Sequence, residues 1–372
     1  MEQRVDEREW IEFQWPYLMS WLGGEARVSE LAYETGAFTR RREIDSPGKL
    51  LQLVLTWAVA ERSLRETAAM AAEAEVADVS DVALMKRFLR TGDWLGVLLS
   101  SAMYQVKWRT AARVRLLDAT TINRRGSRGT DARLHVGIDL QSHRFDSVEL
   151  TDARGGETLE RFTFKPGEIV IADRGYAHRS GLASVMNAGA SFIVRFAWSN
   201  LPLEHPDGEP FDLLGALRSL PEAEPGEFAV AFRLPRGEAM PCRLIAIRKS
   251  EPAAAAARQR ILQEAGKRQR SINLLTLEAA GYFFVLTNLP PTYVATKILD
   301  MYGLRWQIEM KFKTLKSVLH LGNVPVRSPE LLRVYVLAKL LVAVLIDEFI
   351  ASAESFSPWG YPIPAAELVA SH

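Results

Sequence analysis

Residues 302–317 read YGLRWQIEMKFKTLKS, and after Gly303 the stretch holds neither Gly nor Pro. Steps of three or four residues bring side chains to one face of a helix. Tyr302, Arg305, Glu309, Lys313 and Lys316 follow those steps, so one face of the expected helix carries a carboxylate between cations, with a phenol at its start. Leu304, Ile308, Phe312 and Leu315 repeat at the same period as an apolar stripe. Two readings of the charged face stand side by side. One is a solvated surface with i,i+4 ion pairs, Arg305 with Glu309 and Glu309 with Lys313. The other is part of a site, and the rest of the chain decides between them.

Working outward, Tyr282 to Thr287 (YFFVLT) reads as a strand stopped by Pro290-Pro291, and a helix from about Thr292 leads into the quoted stretch. Pro329 to about Ala353 reads as a final helix, followed by a loosely held tail over 354–372. Further upstream, Val114 to Asp118 is a short β run. An Arg- and Gly-rich loop follows it, Arg124 to Gly129, which is either a phosphate-binding loop or a plain hairpin turn. Leu134–Leu140 and Arg144–Leu150 alternate as two more strands of a meander. Glu157 to Phe162 reads as a short helix. Ile169 to Ala172 is an apolar strand that ends at Asp173-Arg174-Gly175-Tyr176, and a helix (Ser180–Asn187) and a buried strand (Ser191–Phe196) follow. Strands leading into a strand–helix–strand unit predict an α/β fold, a mixed sheet with helices on its faces. Pro and Gly then cluster, and two edge-type strands and an Ala- and Arg-rich helix (Ala253–Arg270) read as a strand-rich insertion over about 197–281.

Residues 1–112 read as a separate helical N-terminal domain. Trp10, Phe13, Trp15 and Trp21 stud its start. Ser46-Pro47 opens a helix as N-cap and first helical residue, shorter helices break around Val79-Ser80-Asp81, and Asp93-Trp94-Leu95 begins another. The packing is either a helix-turn-helix or a plain bundle. Arg40-Arg41-Arg42 is read as a solvated charge run, with phosphate contact as the alternative.

The chain has 372 residues, 48% apolar and 24% charged, with a formal net charge of +1. That suits two or three globular domains, and any footprint of a polyanionic partner must be local. A single cysteine, Cys242, forms no intrachain disulfide, and the six histidines form no close pair with it or with one another, which argues against a zinc site of the usual spacing. The charged N-terminus does not read as a signal peptide. The apolar run Leu331–Ile346 is interrupted by Arg333 and Lys339 and reads as a buried helix, not a membrane span. A cytoplasmic protein is expected.

Two acids follow apolar runs, Asp118 at the end of one strand and Asp173 at the end of another. A carboxylate on such buried backbone is costly unless it is paired or bound to a cation. Magnesium takes carboxylates, waters and substrate phosphates. Two aspartates on adjacent strands and Glu309 on a covering helix would hold two ions roughly 4 Å apart, suited to in-line attack at phosphorus. Asp139, Asp146, Asp152 and Glu157 compete with them. The neighbours of each acid favour Asp173, in Ala-Asp-Arg-Gly-Tyr, and Glu309, in Tyr-x2-Arg-x3-Glu-x6-Lys.

With those motifs in place, the chain resembles the bacterial insertion-sequence transposases of the DDE class that carry the YREK signature. Tyr302, Arg305, Glu309 and Lys316 match that signature, and Asp118 and the Asp173 motif occupy the places of the first two catalytic aspartates. The resemblance spans about residues 40–350. It implies a ribonuclease H-like catalytic domain over 113–353, an N-terminal DNA-binding domain over 1–112 that recognises the terminal inverted repeats, two Mg2+ (or Mn2+) ions held by Asp118, Asp173 and Glu309, and a chain acting as a homodimer on double-stranded DNA, at those repeats and at target. The implied reaction is cleavage at the element's ends, with or without a hairpin, then strand transfer. Tyr302, Arg305 and Lys316 would hold phosphates, Arg305 through its planar fork. Lys313 would either assist or pair with Glu309, and Arg174 stands beside the second aspartate as a further DNA contact. Trp306, after the signature arginine, is expected in the core, with stacking near DNA as the alternative. Tyr282 and Phe283 stand where related enzymes carry an aromatic residue that holds a flipped base, and at least one of them is expected to fill the core instead. A metal-dependent nuclease on the same fold and a non-catalytic DNA-binding regulator are the alternatives.

Overall fold

The computed structural model describes residues 15–16, 18–104, 113–222 and 224–355. The readings of Trp10, Phe13 and the tail beyond Ser355 lie outside them.

The helical start resolves into α1 (Gly24–Glu34), α2 (Pro47–Ala60), α3 (Leu64–Glu73), α4 (Asp81–Phe88) and α5 (Gly92–Tyr104). Local chemistry sets their boundaries. The Ser46 hydroxyl accepts from the Lys49 N–H at the start of α2, and Ser63 with Glu66 forms a reciprocal capping box on α3. The Ser80 hydroxyl accepts from the Ala83 N–H at the start of α4. These helices gather around the long α12 (Pro329–Ser355) as a bundle. Trp57 packs edge-on to Tyr335 of α12, with ring centroids 5.0 Å apart, and the buried Trp94 indole donates to the Val28 carbonyl at 3.1 Å. One apolar core runs from Val28 and Leu50 through Leu116 and Ile171 to Ile308 and Leu340. The bundle therefore packs onto one face of the sheet and shares its core.

Among the described residues the strands are β1 (Val114–Arg124), β2 (Ala132–Asp139), β3 (Phe145–Asp152), β4 (Ile169–Ala172), β5 (Ser191–Arg195), β6 (Gly226–Arg233), β7 (Ala239–Arg248), β8 (Tyr282–Thr287) and β9 (Asn323–Val324). They form one mixed sheet of order β3-β2-β1-β4-β5-β8-β7-β6, with β9 beside the far end of β1. β1, β2 and β3 make the antiparallel meander, and Arg124–Gly129 is its first turn, with Arg124 donating to Asp131. β1, β4 and β5 run parallel, linked on the other face by α6 (Arg179–Asn187). A second core under that face holds Val170, Phe192, Leu244 and Leu286.

Three details differ from the sequence reading. Asp118 does not end its strand: β1 continues to Arg124 because β2 pairs with it as far as Ile122. What ends at Leu117 is the parallel pairing with β4. Glu157–Phe162 holds only a 3-10 turn, Leu159–Arg161. The insertion's β6 and β7 extend the parent sheet, since β7 pairs with β8 from Arg243 to Arg248. Between them and β8 lie α8 (Glu251–Arg268) and α9 (Leu274–Ala279), and α7 (Leu213–Arg218) precedes β6.

Candidate active site

Parallel pairing sets Leu117 opposite Ala172, and Ala172 opposite Val194. The next residue on each strand, Asp118, Asp173 and Arg195, therefore stands in one row at the carboxyl edge of the sheet, where open α/β sheets bind ligands. Alternation along the strands puts Asp118 and Arg195 on the face of Leu116 and Ile193, which is the bundle side.

The 302–317 stretch covers this row, but not as one helix. α10 (Ala295–Gly303) ends just after Tyr302, and α11 runs from Trp306 to Ser317. Gly303 is a poor helix former, and the break is closed by tight i→i−3 bonds, Leu304 N–H to Met301 O at 3.1 Å and Arg305 N–H to Tyr302 O at 3.0 Å. The kink sends the Tyr302 hydroxyl to Asp173 Oδ1 at 3.1 Å. The Arg305 guanidinium bridges two acids, donating to Asp118 Oδ2 at 3.4 Å and to Glu309 Oε1 at 2.5 Å. Ile308, Phe312 and Leu315 anchor α11 in the core.

Burial pushes the Asp118 carboxyl up to about 6, against the Ala119 N–H and Arg305, with the charges of Asp173 and Glu157 adding to the rise. Asp173 goes the other way. Burial raises it, but the Arg174 N–H, Arg305, Arg195 and the Tyr302 hydroxyl together bring it below the usual range. Burial and the Asp173 charge keep the proton on the Tyr302 phenol. Desolvation works against the Arg305 charge, yet the carboxylates of Asp173 and Glu309 hold it cationic more firmly than usual.

Glu309 is 56% exposed and turned to Arg305. Lys313 and Lys316 line a shallow groove beside it with Phe312 and Ser317. No ion pair joins Lys313 to Glu309 among the described residues, because Arg305 takes that carboxylate. Arg174 is exposed and opens the 3-10 turn after Asp173. Trp306 is not in the core. It is 56% exposed, because it lies one position off the buried Ile308–Phe312–Leu315 stripe. Phe283 packs on Tyr302 with centroids 5.3 Å apart, and Tyr282 faces Arg248; both are half-buried.

The competing acids have other work. Asp139 and Asp146 pair with Arg113, and Asp146 also with Arg115, at the opposite end of β1. Asp152 accepts from the Arg154 and Gly155 N–H groups in a turn. Glu157 pairs with Arg133 at 3.6 Å and also reaches the aspartates' edge. A Cβ on Gly175 would fall 1.6 Å from its Oε2, so the glycine after Asp173-Arg174 is what lets this carboxylate sit beside the aspartates. Arg195 is the residue of this edge that the sequence reading did not name, whereas Glu157 stood among its competing acids. The strand-end position of Arg195 in Ser191–Arg195 was the available signal.

Among the described residues no three acids or histidines are grouped tightly enough to hold a metal ion as they stand. The donor chemistry nevertheless suits hard divalent cations: all-oxygen ligands, and in Asp118 a buried carboxylate short of positive charge. Glu309 is one guanidinium away on an exposed, rotatable side chain.

The transposase DDE domain family matches residues 109–345. The chain belongs to that family. It is 38% identical, over 355 residues, to the transposase for insertion sequence element IS421 of Escherichia coli, covering 92% of this chain and 96% of that protein. The transposase for insertion sequence element IS231B of Bacillus thuringiensis subsp. berliner is 24% identical over 377 residues, covering 88% of this chain and 77% of the relative. The family match takes in β1 through α11 and most of α12. Membership in this DDE family implies dependence on divalent metal in general terms. No helix among the described residues is long and apolar enough to cross a membrane.

Proposed function

We propose that this chain is an insertion-sequence transposase that cuts the ends of its element and joins them to target DNA, with Asp118, Asp173 and Glu309 as the catalytic acids. The observation that carries this reading is the convergence of Asp118 and Asp173 at one register of neighbouring parallel strands, with Arg305 linking Asp118 to Glu309. Two Mg2+ or Mn2+ ions held by these carboxylates would lower the pKa of the attacking water or sugar hydroxyl and stabilise the departing oxygen. The chain's own residues do the rest. Tyr302, neutral and tied to Asp173, fixes that carboxylate and presents a phenol at the scissile phosphate. Arg305 holds Glu309 in reserve, and a phosphate arriving at its fork competes for both carboxylate contacts. Lys313 and Lys316, exposed on the same side of α11, and Arg174 beside Asp173 bind flanking phosphates. The partner is double-stranded DNA, at the terminal inverted repeats and at the target, and the working unit is a homodimer that brings two ends together.

The test is an end-cleavage and strand-transfer assay with the DNA that flanks the reading frame. Asp118→Ala, Asp173→Ala and Glu309→Ala each remove cleavage while end binding stays near the wild-type level. Cleavage by Asp118→Ala together with its loss in Asp139→Ala would move the first acid elsewhere. Hydrolysis of precut ends without any joined product would make the protein a nuclease.

A further inference from the structure

The catalytic edge does not stop at Arg195. β8 runs antiparallel to β5 with Val285 opposite Arg195, so Phe283 and Tyr282 lie beyond the row on the same side. β7 ends there too, with Arg248 opposite Tyr282, and the Lys249 N–H bonds the Gly281 carbonyl at 2.9 Å. α8 starts two residues later, so the insertion's long helix rises from the edge that carries the aspartates.

Cations follow that edge. The Arg195 guanidinium lies 5.7 Å from the centre of the Phe283 ring, which itself packs on Tyr302. Lys249 Nζ donates to the Ala280 carbonyl at 2.7 Å. The Arg258 guanidinium sits over Gly281, where an added Cβ would come within 3.0 Å of Nη2. Burial and the charges of Arg195, Arg174, Arg258 and Arg260 together hold the Lys249 ammonium below its usual pKa, which places all five cations in one field. Arg258 pairs with Glu251 at 3.0 Å. Arg174, Arg195, Lys249 and Arg260 have no carboxylate within salt-bridge distance among the described residues. On a chain of net charge +1 this is a local excess of cations, only part of which Asp173 beside Arg195 and Glu251 beside Arg258 offset.

α8 itself is thinly packed. Of its 18 residues only Ala254 is buried, and its outer surface adds Lys267 and Arg268. Its exposed surface mixes alanines and Leu262 with charge, and its packing against the rest of the protein is slight.

We propose that Lys249, Arg258 and Arg260 of the insertion form a phosphate track, continuous with Arg174 and Arg195, that grips the backbone of the DNA duplex leading away from the catalytic carboxylates. A row of arginines and a lysine along one edge, with no base-reading pattern, fits a polyphosphate backbone and gives binding that positions without specifying sequence. The inference rests on DNA being the substrate, as proposed above.

The experiment measures affinity for two labelled duplexes, one bearing the element's end and one of unrelated sequence, across a salt series. Lys249→Ala/Arg260→Ala and the triple variant with Arg258→Ala are compared with wild type, alongside Lys249→Arg/Arg258→Lys/Arg260→Lys. The triple alanine variant lowers affinity for both duplexes about equally, and its log–log salt slope falls by about 2–3. The double variant, which spares the Glu251 pair, loses about 2, and the charge-keeping variant retains the wild-type slope. An unchanged slope in folded alanine variants overturns the track, as does equal loss in the charge-keeping variant. Wild type that cuts ends, beside alanine variants with full affinity, removes the track and leaves the enzyme reading standing. Wild type that never cuts, beside a steep slope that these variants flatten, does the reverse.

Discussion

Replacing Asp118 by Asn is expected to stabilise the fold while removing its chemistry. The carboxylate is 18% exposed, and its one cationic partner is 3.4 Å away and shared with Glu309. Burial therefore outweighs the ion pair, and the carboxyl rises from 3.8 to about 6. At about 1.4 kcal/mol per tenfold change in proton affinity, the ionised carboxylate destabilises the folded state by about 2–3 kcal/mol. The sign follows from proton counting. The folded state binds this proton more tightly than the unfolded chain, so stability falls as pH rises from about 4 to about 6 and stays low above that. An amide keeps the acceptor for the Ala119 N–H, which bonds Asp118 Oδ1 at 2.8 Å, and carries no charge. Urea unfolding in chelator at pH 8 should give Asp118→Asn a gain of about 2–3 kcal/mol that shrinks towards zero near pH 4. Added Mg2+ should then raise the stability of wild type and not of the variant. A variant no more stable than wild type at pH 8, or a gain that does not change with pH, would refute the buried-charge reasoning and make Arg305 a full partner.

Lys316→Ala should leave the urea midpoint unchanged and lower the salt slope of DNA binding by about 1, since the residue is exposed beside the groove of α11; equal loss of stability would mark a structural role. Lys339 is 1% exposed and held by Glu61 and the Leu319 carbonyl, tying α12 to the end of α2 and to the segment after α11. Glu61→Ala leaves that ammonium only the Leu319 carbonyl as a hydrogen-bond acceptor and should cost about 2–3 kcal/mol by urea denaturation, below the range for fully buried pairs because Glu61 is 35% exposed. Lys339→Met should cost clearly less, and the reverse order would deny the pair its role. Burial pushes the Cys242 thiol up to about 12, so a thiol reagent at pH 8 should label it only after denaturant is added; rapid labelling of the native protein would contradict its burial.

Much of this architecture was legible in the order of residues. The helix of Pro47–Ala60 announced itself by Ser46 and Pro47, the parallel strands by runs such as Ile169–Ala172, and the covering helix by Ile308, Phe312 and Leu315. Such signals are local: a cap, a period or a turn acts over a few residues and can be read from them. The spacing of Tyr302, Arg305, Glu309 and Lys316 is local in the same sense, and only together with the motifs at Asp118 and Asp173 does it resemble a family. Trp306 shows the limit, since a bulky apolar residue suggests a core position, yet its angle on α11 leaves it outside.

Only the fold decided which distant groups meet. Leu117 aligns with Ala172, and Ala172 with Val194, through backbone pairing between strands far apart in sequence, and that pairing puts Asp118, Asp173 and Arg195 in a row. The break after Gly303 turns Tyr302 towards Asp173 and leaves Arg305 to span Asp118 and Glu309. Glu157 enters the site because Gly175 leaves room, and Lys249 reaches the same edge because β7 joins the parent sheet. The chain order fixes which residues prefer helix or strand. Register and close approach arise from long-range packing, and no window of sequence contains both partners of such a contact.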